Sequence, residues 1–181
     1  EAATNLQGAQ SIAIGYKAAE DDQGAQSIAI GTEAGEETQG ATGIAIGYQA
    51  AQYYQGESSV AIGTQAGHTG QEGGAVAIGF QSGETDQGSN AIACGGAAGR
   101  YDQSQDAIAI GSLAGNRNQG PQSVAMGCQA GMTGQSINCV AIGLNAGQYY
   151  QGIEPLVSPS LFHDSIAIGT CAGLTGQSRR A

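Results

Sequence analysis

Ser27-Ile28-Ala29-Ile30-Gly31 is the stretch on which the fold of this chain turns. Small and apolar residues alternate strictly across it, the period of a β-strand and not of a helix. Ile28 and Ile30 then share one face, and Ser27, Ala29 and Gly31 share the other. The motif returns ten times, its apolar dyad beginning at Ile12, Ile28, Ile44, Val60, Val76, Ile92, Ile108, Val124, Val140 and Ile166. The first nine lie sixteen residues apart, and a ten-residue insertion displaces the tenth. A fixed short period marks a solenoid in which each copy is one coil. The sequence therefore predicts an all-β fold, a parallel β-solenoid (β-roll) of about ten 16-residue coils. It would form a single repetitive segment over 1–181, with a non-repeat loop at 153–162.

Aligned in rows of sixteen, the residues become columns. The motif Ala is present in every copy, from Ala13 to Ala167, and so is the Gly two residues later, from Gly15 to Gly169. A second small column runs from Ala18 to Ala172 with Ser82 as its exception, and the position after it is always Ala or Gly. The strictest polar column is Gln7, Gln23, Gln39, Gln55, Gln71, Gln87, Gln103, Gln119, Gln135, Gln151 and Gln177. It reads as a structural ladder, each stacked amide donating to the carbonyl of a neighbouring coil and satisfying turn backbone. Gly, Ala-Gly and Gln-Gly steps punctuate the coil as bends. Each coil would hold one firm strand and a weaker second one near the Ala-Gly columns. Coils about 4.8 Å apart give a rod roughly 50 Å long.

Which face is inside decides the architecture. With Ala inward against the second small column, the coil is flat and thin, and the Ile and Val columns form an apolar stripe outside. Such a stripe marks an interface. With Ile and Val inward the coil is fatter and the chain can be monomeric, but the tenfold demand for Ala has no cause. Volume favours the first arrangement. The expected oligomer interface is then Ile12, Ile14, Ile28, Ile30, Ile44, Ile46, Val60, Ile62, Val76, Ile78, Ile108, Ile110, Val140 and Ile142.

Composition agrees with a thin repetitive structure: 32 glycines, no tryptophan, two phenylalanines and 11 % charged residues. The strict phase of Ile and Val argues against low-complexity disorder. The net charge of −10, with only Lys17, Arg100, Arg117, Arg179 and Arg180 as strong bases, leaves no basic stripe for nucleic acid or anionic lipid. No run approaches the roughly 20 apolar residues of a membrane span, and no signal peptide is visible. The chain starts and stops in mid-pattern, as a segment of something longer or a processed product would. Cys94, Cys128, Cys139 and Cys171 lack metal-site spacing. Cys128 and Cys171 are two coils apart, roughly 9.5 Å, too far for a disulfide. Cys94 reads as a small buried hydrophobe.

The phrases Gln-Ser-Ile-Ala-Ile-Gly (26–31), Ser-Ser-Val-Ala-Ile-Gly (58–63) and Asp-Ser-Ile-Ala-Ile-Gly (164–169) resemble the head repeats of trimeric autotransporter adhesins. They are also similar to repeats of phage and giant-virus fibre proteins, which the constant Gln column matches better. The resemblance implies a left-handed roll, three copies packed around an axis, and a place outside the cell or on the virion surface. The function it implies is attachment to a host or surface, through a glycan or protein receptor. A purely structural filament subunit or spacer rod is the alternative. Ice binding, which uses flat solenoid faces with paired Thr, is a minor one, since Thr32, Thr64 and Thr170 recur irregularly.

The three residues before each Gln vary from coil to coil, and variation confined to one column set maps to one exposed edge. Tyr53, Tyr54, Tyr101, Tyr149 and Tyr150 stand there and are the candidate receptor contacts, offering large area and a hydroxyl. Glu20, Asp21 and Asp22 face Glu36 and Glu37 on the next coil, a concentration of carboxylate for which calcium is the natural cation. The nonapeptide pattern of calcium β-rolls is absent, so no cofactor is expected. His68 and His163 stand apart from any recurring Ser, Cys or acid, and a thin rod offers no catalytic cleft. The chain is not expected to be an enzyme. The loop 153–162, with two prolines and Leu156, Val157, Leu161 and Phe162, would pack on the rod or on a neighbouring subunit.

Overall fold

A computed structural model describes residues 6–152 and 164–176. The fold is a parallel β-solenoid without helix among these residues. One sheet has ten three-residue strands, from Ile12–Ile14 and Ile28–Ile30 through Val140–Ile142 to Ile166–Ile168. Each pairs in parallel with the next copy in register, Ile28 beside Ile44 and Ala29 beside Ala45. A second sheet has six strands: Tyr53–Gln55, Thr69–Gln71, Thr85–Gln87, Tyr101–Gln103, Arg117–Gln119 and Thr133–Gln135. Isolated bridges such as Gln7 to Gln23 and Tyr149 to Thr175 carry the same pairing toward both ends. The pairing of Val140–Ile142 with Ile166–Ile168 continues the ladder past the insertion without changing register.

The second ladder differs from the expectation in place. Ala-Gly residues form the turn itself, and the strand follows it, over the end of the variable triplet and the Gln. Those triplets carry no strand signature, so the stack of neighbouring coils decides their conformation.

The interior is alanine. Ala29, Ala45, Ala61, Ala77, Ala93, Ala109, Ala125 and Ala141 have no exposed surface, nor do Ala34, Ala50, Ala66, Ala98, Ala114, Ala130 and Ala146 facing them. Where Ser82 breaks the second column, its hydroxyl is satisfied by the carbonyl of Ala93 at 2.7 Å. Serines before the strands behave likewise: Ser27 and Ser59 donate to Gly24 and Gly56 carbonyls at 2.7 and 2.8 Å. Ile and Val point outward, half-buried by their own neighbours.

Two glycine columns are geometrically obligatory. At Gly31 φ is +135°, and an added Cβ would lie 2.3 Å from the carbonyl oxygen of Gly47 in the next coil. At Gly83 φ is +52°, and a Cβ would lie 2.6 Å from the Gln87 amide. Ala19 and Ala51 occupy this second column in left-handed conformation, at φ 48° and 47°, and it is burial against the Gln column that leaves room for nothing larger than a methyl group.

Candidate functional site

The Gln column runs through the coil interior. Gln39, Gln55, Gln71, Gln87, Gln103, Gln119, Gln135 and Gln151 are buried, and Gln23 nearly so. Each Nε2 crosses the coil to a strand carbonyl eleven residues earlier, as Gln71 to Val60 at 2.9 Å and Gln119 to Ile108 at 2.8 Å. The amides also link to one another, Gln71 donating to Gln87, Gln87 to Gln103 and Gln103 to Gln119, each at 3.1 Å. The role is largely internal: every Nε2 meets backbone, the amide chain is interrupted where the Oε1 of Gln23, Gln55 and Gln135 has no partner among the described residues, and Gln119 and Gln135 also border a surface hollow. Gln177 lies outside the described residues.

The Ile and Val columns cover one outer face. Ile14 is 58 % exposed at one end and Ile168 65 % at the other, with Ile62, Ile78, Ile110 and Ile142 near 40 % between them. Ile12 is also exposed, while Ile28, Ile30, Ile44, Ile46, Val60, Val76, Ile108 and Val140 are half-buried. Ile92, Val124 and Met126 continue the same face. Cys94 does too, so it is half-buried on the outside and not a core residue, because its column is the outward one. Tyr16, Tyr48, Phe80 and Leu144, in the column next to the stripe, widen it. All four cysteines are free thiols.

The variable rim divides in two. The first residue of most triplets turns back along the rod and meets a polar group of a neighbouring coil, Met132 being an apolar exception. Lys17 bridges Glu20 and Glu36, each at 2.8 Å. Gln52 donates to Glu36, and His68 Nε2 meets Gln52 at 2.9 Å. Arg100 pairs with Glu84. Hydrogen bonds to Glu20 and Glu36 raise the Lys17 ammonium above its usual value. Burial works to raise the Glu36 carboxyl, but hydrogen bonds from Lys17 and Gln52 outweigh it and hold the group low. Burial depresses the His68 imidazole, against the opposing charge of Glu84. Both ring nitrogens of His68 are engaged, the other by Thr69 at 3.0 Å.

Only the second and third triplet residues remain outward. Tyr54 and Tyr150 are more than half exposed, in left-handed backbone at φ 57° and 54°. Tyr53 stacks edge-on to His68 with centroids 5.3 Å apart. Tyr101 is half-buried beneath Arg100 and Arg117, whose guanidinium carbons lie 4.7 and 5.7 Å from its ring centroid. Tyr149 is half-buried and bridged to Thr133. The two Tyr-Tyr pairs are six repeats apart, roughly 29 Å at about 4.8 Å per coil, and so form separate patches.

The five carboxylates expected to gather do not converge. Glu20 and Glu36 face Lys17, whereas Asp21, Asp22 and Glu37 line an open hollow with Leu6 and Thr38. Among the described residues no group of three His, Cys, Asp or Glu is placed to hold a metal, and no helix is long and apolar enough to cross a membrane. His163 and the loop 153–162 lie outside the described residues.

One concavity is new. Among the described residues the Gly after each ladder Gln is constant at Gly8, Gly24, Gly40, Gly56, Gly88, Gly120 and Gly152 but gives way to Glu72, Ser104 and Ser136. Around the last two lies a notch of about 440 Å³, floored by Gly120 and Gly134. That break in an otherwise regular column was its sequence signal. Set against known proteins, the chain matches no family model, no curated protein and no solved structure.

Proposed function

We propose that this chain is the structural and attachment segment of a trimeric surface fibre, of the kind seen in viral or phage fibres or adhesin heads, displayed outside the cell or on a virion. The observation that carries the proposal is the outer Ile and Val stripe, continuous over ten strands in register around a core too narrow to take it. Apolar faces of this extent on soluble proteins are covered by partners. The same columns that face outward recur in every coil, so a second and third copy of the chain meet a matching surface along the whole rod. The number three comes from the resemblance of the repeats to trimeric heads. The role is non-catalytic, with the exposed Tyr54 and Tyr150 and their neighbours as receptor contacts.

Sedimentation of the intact chain tests the assembly. A trimer is expected, and Ile28→Asp with Ile30→Asp should dissociate it. A stable, soluble monomer would overturn the proposal. Cell and glycan binding by the native rod, against one with Ala at Tyr53, Tyr54, Tyr149 and Tyr150, tests the contacts. A trimer that attaches to nothing would leave a spacer rod.

A further inference from the structure

We infer that the notch between Asp102, Ser104, Asn118, Pro121, Ser136 and Ile137 is a binding site for an uncharged saccharide. It deepens the attachment reading by naming a ligand class and a place, on residues that reading does not use. Three observations converge. The cavity of about 440 Å³ falls within the range of small-molecule sites, roughly 300–1,000 Å³. Its wall is amphipathic: Pro121 and Ile137 offer an apolar side, while Asp102 and Asn118, exposed on neighbouring coils, offer an acceptor and a donor-acceptor pair. Asn118 Nδ2 already reaches Asp102 Oδ2 at 3.3 Å, which holds the two side chains together. The third observation is an orphan. Ser136 lines the notch, is 4 % exposed, and its Oγ finds no hydrogen-bond partner among the described residues. A buried hydroxyl without a partner costs on the order of 1–3 kcal/mol and calls for a group to meet it.

A sugar ring has both halves of this chemistry, an apolar C–H face and a fringe of hydroxyls that donate and accept. Charge selects within that class. A second hollow of about 410 Å³ shares Asp102 and Ser104 and continues the groove past Asp86 to Glu72. An anionic ligand such as a sulfated or sialylated glycan meets like charge along this edge. A neutral oligosaccharide laid along the rod does not. The notch is built from second-sheet ends and the corner after them, and none of its lining residues belongs to the Ile and Val columns.

The test uses the full chain on an array of short neutral, sialylated and sulfated oligosaccharides, followed by titration calorimetry with the best neutral probe. Selective binding to neutral glycans is expected, weakened tenfold or more by Asp102→Ala and by Ile137→Asp. Ser136→Ala distinguishes a ligand group from a structural one: it should raise the melting temperature of the free rod while weakening the sugar. Binding unchanged in all three variants overturns the inference, as does preference for sulfated glycans, or a rod that binds only protein receptors. If the tyrosine variants abolish cell attachment while the notch variants do not, the notch falls and attachment stands.

Discussion

Replacing Gln87 by Met asks whether the buried Gln column is a hydrogen-bonded ladder or filler. Gln87 has no exposed surface, and Met is close to it in length and volume, so little cavity is made. Its Nε2 donates to Val76 O at 2.9 Å, Ala91 O at 3.3 Å and Gln103 Oε1 at 3.1 Å, and its Oε1 accepts from Gln71 at 3.1 Å. After substitution, Ala91 O keeps the Val76 N–H and Gln71 Nε2 keeps Val60 O. Those losses are ordinary ones, about 0.5–1.5 kcal/mol each. Gln103 Oε1 loses the donor it has in this ladder and becomes a buried orphan, about 1–3 kcal/mol more. The total is roughly 3–7 kcal/mol. Gln81→Met in the same coil is the control: its Nε2 meets only Gln65 at 3.0 Å and Glu84 at 3.5 Å on a half-exposed surface. It should cost under about 1 kcal/mol. Denaturant unfolding followed by circular dichroism gives both values. Because coil stabilities add through nearest neighbours, the lesion should also speed hydrogen exchange in the coils on either side. Equal costs for the two variants would refute the ladder.

Gly31→Ala should destabilise by more than about 3 kcal/mol or prevent folding, since backbone of the next coil stands 2.3 Å from the new Cβ. Gly96→Ala, with nothing within 4 Å, should be near neutral, and equal melting points for the pair would contradict the stacking geometry. Thr42 is β-branched and held at φ 56°, so Thr42→Gly should raise stability by up to about 1 kcal/mol in thermal melts despite the loss of its bond to Ser58. His68 in the folded rod titrates below its ordinary value of 6.5, so the unfolded chain binds its proton first. Its contribution is complete above about pH 6.5 and is lost as pH falls below that toward the folded value; His68→Gln should flatten this part of a melting-temperature profile. Glu36, also held low, adds a second loss beginning near pH 4.5.

The main ladder was legible because repetition removes the usual ambiguity of a short apolar run. Ile-Ala-Ile in one copy fits a strand or part of a helix; ten copies at one spacing fit only stacked strands. The invariance of Ala over ten coils revealed the inward face because no other column is uniformly a single methyl. The second sheet was harder to place. Its strands read Tyr-Tyr-Gln, Thr-Gly-Gln, Thr-Asp-Gln and Arg-Asn-Gln, and only the Gln is common. Pairing with neighbours imposes the strand there. The rim was also narrower than the variable triplets suggested. Glu36, Gln52 and His68 vary in kind but stack at one spacing, so each finds a partner one coil away. Left-handed backbone at Lys17, Glu33 and Leu113 had no sequence mark at all. The parallel column holding Gln26, Thr42, Ser58, Gly74, Asn90 and Asp106 did, in its small polar turn formers.

The choice of Ala for the interior has a consequence for how such a rod is held together. Ordering a coil of sixteen residues costs about 1–2 kcal/mol per residue in backbone entropy. Each coil buries two or three methyl-sized groups, and a methylene is worth only about 0.8 kcal/mol. Backbone ladders and the Gln chain make the coil specific, but a hydrogen bond exchanged with water contributes only about 0.5–1.5 kcal/mol net. The largest apolar groups in the repeat, two Ile or Val side chains per coil, are those left half outside. Burying them against other copies, as proposed above, adds stabilisation at every level of the stack, and adds most where Ile12, Ile14, Ile166 and Ile168 are most exposed. Folding and association then draw on the same side chains. Melting temperature should therefore climb with chain concentration, as linkage requires of any assembly whose unfolded chains do not associate.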